Sequence, residues 1–110
     1  MAKPIPSILS SIGDRSFLGS AVPIALAKDD KWVKLRPFLK ALPLAREIRR
    51  RVEKGMAGKA KGTTWLPGSD GEVWVRMASA ETIVVGLVEK GVLADNVIDA
   101  VARFGSGLAT

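Results

Sequence analysis

The chain has 110 residues, 47% apolar and 25% charged, a composition for one globular domain with one modest core. It contains no cysteine, histidine or tyrosine, which removes disulfides, thiolate sites, the usual general base and the phenolic acid. Its net charge of +6 is concentrated: residues 28–61 carry twelve Lys/Arg against four Asp/Glu, residues 62–110 only three against six. A basic middle with an acidic end suits a polyanionic partner or contact between copies.

Residues 1–28 combine Pro4, Pro6 and Pro23 with small and apolar residues. They read as an N-terminal arm packing on its own body or on a neighbour, with a short helix over 7–18 anchored by Ile8, Leu9, Ile12 and Leu18. Ala25 and Ala27 form an A-x-A pair, but Asp14 and Arg15 interrupt the apolar run that a cleaved leader needs, so removal there is not expected. No apolar stretch reaches the length of a membrane span, and a cytoplasmic location or one within a larger assembly is expected.

Residues 29–110 read as a single compact helical domain. Asp29 and Asp30 can cap a helix from Lys31, with Trp32, Leu35, Leu39 and Leu42 as its buried stripe and Pro37 as a kink. Pro43 suits the start of a second helix, 43–54, closed by Gly55. "GTTWLPGSDGEVWVRM" then changes period from 3.6 to 2, which predicts a hairpin near 63–77 with strands 63–66 and 72–77. Its five-residue loop puts Trp65 on one face with Val73, Val75 and Met77. Trp74 falls on the other with Thr64 and Arg76.

Ser79 is expected to cap a third helix, striped by Ile83, Val84, Leu87 and Val88 and stopped by Gly91. Asp95 caps a fourth, with Val97, Ile98, Val101 and Phe104 inward and Gly105 as its end. "LVEKGVLADNVIDAV" resembles a helix–Gly–helix corner seen in many small bacterial and phage proteins, which implies a local fold and no function. The fold class expected is therefore α+β, mainly helical: two helical pairs flanking one β-hairpin, with an N-terminal arm. Core positions are Trp32, Leu35, Leu39, Ile48, Trp65, Val75, Val84, Leu87, Val88, Ile98, Val101 and Phe104.

The densest chemical signal is "LAREIRRRVEKGMAGKAKG". On a helical wheel Leu44, Ala45, Ile48 and Val52 gather on one side, opposite Arg46, Arg49, Arg50 and Lys54, with Arg51 and Glu47 flanking. Lys59 and Lys61 follow. Such cation density suits phosphate, since each neutralised phosphate releases condensed counterions and arginine offers a planar two-point contact. A solvated helix with cations near its C-terminus accounts for the same pattern. Trp74 beside Arg76 has the composition of an interface anchor or stacking platform.

Other chemistry fails on spacing. "EKGMAGKAKGTT" resembles a P-loop only loosely: Glu53 stands where the first glycine belongs and Ala60 where the hydroxyl belongs. The carboxylate pairs Asp29/Asp30, Asp70/Glu72 and Asp95/Asp99 fall at caps and a turn, and the hydroxyls lack a histidine base. No enzyme, metal site, cofactor or small-molecule substrate is expected. The reading favoured by the sequence is a non-catalytic assembly subunit, of a virion-type particle for example, whose basic helix meets an acidic partner or polyanion. A DNA- or RNA-binding protein gripping phosphates stands second, and peripheral attachment to an anionic membrane surface third.

Overall fold

The structure, a computed structural model, describes residues 12–27, 30–59, 65–69 and 71–107. Five strands form one antiparallel sheet: β1 (Gly13–Phe17), β2 (Ser20–Ala27), β3 (Asp30–Lys34), β4 (Trp65–Pro67) and β5 (Val73–Arg76), in the spatial order β1-β2-β3-β5-β4. Four helices accompany it: α1 (Leu35–Ala41), α2 (Arg46–Ala57), α3 (Met77–Glu89) and α4 (Asn96–Gly107). The expectation of a mainly helical fold with a lone hairpin and an apolar arm is overturned by this sheet.

The correction begins at Gly13. Residues 13–27 are a hairpin, not an arm with a helix; residues 1–11 lie outside the described residues. Phe17 pairs with Ser20, leaving Leu18 and Gly19 as a two-residue turn with φ of 51° and 82°. Positive φ at both positions matches the right-handed twist of the flanking strands. Pro23, which argued against a strand, is accommodated by its side. Ile24 accepts from Ile12 N–H across the β1 ladder, so Pro23's missing donor faces the other way, where pairing with β3 starts only at Ile24↔Val33.

Trp32 is likewise a strand residue. The helical stripe starts three residues later, with Leu35, Leu39 and Leu42 all buried. Pro37 does not kink α1: it is the third helical residue, in the first turn, where no backbone N–H is needed for the helix. The second helix starts at Arg46 rather than Pro43 and runs through Gly55 to Ala57, with Gly58 as its cap.

The expected hairpin is present but with other bounds: Trp65–Pro67 pairs with Val73–Arg76, Trp65 opposite Val75 and Leu66 opposite Trp74, while residues 63 and 64 lie outside the described residues. The chain then passes from Arg76 directly into α3, two residues ahead of Ser79, and no side chain caps that start. Gly91 ends α3 as expected. At φ 76° it closes a Schellman motif, Gly91 N–H to Val88 O and Val92 N–H to Leu87 O, both at 2.9 Å. Gly105 does not end α4, which continues to Gly107. A side chain at Gly105 would approach Met77, so this glycine allows α4 to lie close on α3.

The main core joins one sheet face (Phe17, Val22, Ile24, Val33, Val75) to Leu35, Phe38 and Leu39 of α1, Val84 and Leu87 of α3, and Val97, Val101 and Phe104 of α4. Its centre holds all three phenylalanines of the chain, with Phe17 5.0 Å from both Phe38 and Phe104 between ring centroids. A second buried cluster, Ala25, Trp32, Leu66 and Trp74, belongs to the opposite sheet face and draws on strands alone. Ile48, Trp65, Val88 and Ile98 are half-buried against the main core rather than inside it.

Candidate polyanion-binding site

The sequence of α2 decides how it sits. Ile48, Val52 and Met56 recur every four residues, so one stripe meets the core and Met56 alone is fully buried. Arg46, Arg50, Arg51 and Lys54 are exposed, and Arg49 is half-buried at the stripe's margin. On α1, Leu35, Phe38 and Leu39 face inward, and this turns Arg36 and Lys40, four residues apart, outward toward α2.

The two helices therefore enclose a cleft of about 570 Å³ lined by Arg36, Lys40, Arg46, Arg49, Arg50 and Glu53. Five cations meet one carboxylate there. Glu53 Oε1 accepts from Arg36 Nε at 3.0 Å, and Arg36 Nη1 also reaches Glu72 Oε1 at 3.4 Å. The hydrogen bond to Glu53, then the charges of Glu53 and Glu72, hold the Arg36 guanidinium above its ordinary pKa. Arg49 Nε is shut off from solvent and has no hydrogen-bond partner among the described residues.

Of the residues singled out in the sequence, Arg46, Arg49 and Arg50 converge on this cleft. Lys54 lines an adjoining one, Arg51 points away from both, and Lys59 is exposed, its carbonyl accepting from Trp65 Nε1 at 3.0 Å. Lys61 lies outside the described residues. Arg36 and Lys40 escaped notice in the sequence, where they belonged to a stretch read for its leucines; their i, i+4 spacing was the available signal.

Trp74 is not on an exposed face. It is 2% accessible, opposite Leu66 and one strand from Trp32. Arg76 is ion-paired with Asp30 and lies over the Trp32 ring, 5.1 Å from its centroid. The indole N–H groups of Trp32 and Trp74 are both buried without an acceptor among the described residues.

Asp29 and Asp70 lie outside the described residues, while Asp95 and Asp99 are exposed at the start of α4. Among the described residues no group of three or more His, Cys, Asp or Glu is placed to hold a metal ion. Nor is any helix among them long and apolar enough to cross a membrane. No protein-family model, curated protein or solved structure matches this chain.

Proposed function

We propose that this chain is a non-catalytic nucleic-acid-binding protein that grips the phosphate backbone in the cleft between α1 and α2. One observation carries the reading: five cations from two helices meet around a single carboxylate. A surface needed only for solubility mixes both signs, whereas closely placed arginines match successive phosphates. We place its work in the cytoplasm or within a macromolecular assembly, where nucleic acid is accessible.

The test is fluorescence anisotropy of a labelled oligonucleotide titrated with protein across a salt series. Four to five phosphate contacts give a log–log slope of about −3 to −4. The double variant Arg46→Glu, Arg50→Glu changes two exposed positions and keeps the wild-type melting curve, yet loses binding by about 100-fold or more. Equal binding by variant and wild type would overturn the reading.

A second reading, assembly with copies of itself, is favoured by β1. It is an outer strand of the sheet, and Ile12, Leu18 and Leu26 beside it are 60%, 47% and 54% exposed. Light scattering coupled to gel filtration near 1 M salt separates the two, since an apolar assembly survives salt that strips nucleic acid away.

A further inference from the structure

A second cleft, of about 450 Å³, adjoins the basic one and shares Arg36, Arg50 and Glu53 with it. Its other walls differ in kind. Leu35, Ala57 and Val73 give it an apolar floor, Glu72 adds a second carboxylate and Lys54 a further cation. The Arg36–Glu53–Glu72 cluster thus stands as a partition between a side lined almost wholly by cations and an apolar-floored hollow whose rim mixes Arg36, Arg50 and Lys54 with the two carboxylates.

We propose that this second cleft receives an unpaired base, so that the nucleic acid bound is single-stranded; this rests on the nucleic-acid reading of the basic cleft. A backbone-only groove gains nothing from two carboxylates at its edge, because they repel phosphate. Beside an apolar floor they have a use: a carboxylate accepts from the exocyclic amino group of cytosine or adenine. A carboxylate has about four lone-pair sites, so Glu53, which accepts from Arg36 at one oxygen, keeps capacity for a base. Arg36 itself supplies a stacking surface. Its side chain is 54% exposed, and the two acids fix the guanidinium plane, as base stacking on arginine requires. The phosphate on the same nucleotide then lies on the side of the partition held by Lys40, Arg46 and Arg49.

The experiment compares wild-type affinity for labelled oligomers of roughly 12 nucleotides. The probes are oligo-dC, oligo-dT, an abasic deoxyribose-phosphate chain of the same length, and a duplex. The proposal expects oligo-dC to bind at least about fivefold more tightly than the abasic chain and the duplex, the lower end of one stacked base's contribution, and more tightly than oligo-dT. Ala57→Leu, which fills the hollow from an exposed position, should bring oligo-dC down to the abasic affinity and leave the abasic affinity unchanged. Equal affinity for oligo-dC, abasic chain and duplex overturns the base cleft and leaves the phosphate grip standing. Binding of none of the probes at low salt overturns both.

Discussion

Phe17 and Phe38 stack with their ring centroids 5.0 Å apart and their planes 4° from parallel. The contact fastens the outer strand β1 to α1, across the sheet from where the hairpin would otherwise hang loose. Phe17 is 2% exposed and its ring also meets Phe104. Phe17→Ala should therefore cost about 3–5 kcal/mol in urea unfolding monitored by circular dichroism. A loss below 1 kcal/mol would mean that the hairpin is not part of the cooperative unit.

Leu18 holds φ 51° while 47% exposed, so it carries backbone strain and contributes little burial in return. Leu18→Asn places the preferred Asn-Gly pair in the turn. It should raise stability by about 0.5–1 kcal/mol, read as a higher midpoint in urea.

Gly86 and Gly105 both lie inside helices, in different surroundings. A methyl group at Gly86 meets nothing within 4 Å, whereas at Gly105 it would come within 2.9 Å of Glu81 Oε1 and 3.2 Å of Met77 Cγ. Gly86→Ala should gain the helix-propensity difference of about 1 kcal/mol. Gly105→Ala should forgo that gain, and thermal melts of the two variants side by side check the contrast.

Binding to polyanions should be flat between about pH 6 and 9, because the cleft's cations are arginine and lysine and the chain has no histidine. Arg36 obeys the same sign. Its pKa is raised in the folded protein, so its contribution is fully present below the ordinary guanidinium value and fades only as pH climbs through the higher folded one. A tenfold change in affinity across that neutral window, measured by anisotropy at constant salt, would contradict the arginine grip.

Legibility in the sequence followed the range of the interactions. The α3–Gly91–α4 corner and the shared face of Trp65 and Val75 rest on neighbours close in sequence, and both could be read there, whereas the register, Trp65 opposite Val75 rather than Val73, could not. The first three strands could not. Their apolar residues fall on two buried faces at once, with Val22 and Ile24 on one side and Ala25 on the other, which erases clean alternation. Pro23 and Pro37 looked like breakers because their harmlessness depends on where a ladder begins and a helix starts. For the same reason Trp74 seemed exposed: it is buried in one cluster with Trp32 and Leu66, which stand on separate strands. The arginines of α2 were plain to see, while Arg36 and Lys40, though on a stretch read as helical, join them only through the packing of α1 beside α2.

The two walls of the basic cleft differ in how deeply they are anchored. β3, flanked by β2 and β5, runs into α1 with no loop between Lys34 and Leu35, and α1 buries three of its seven residues. α2 is joined to that frame by a short non-helical link and buries Met56 alone. One jaw is welded to the middle of the sheet and the other is hung on a narrow seam. Under the proposed function, the cations of α1 would hold the more deeply anchored wall of the grip and the arginines of α2 the more lightly anchored one.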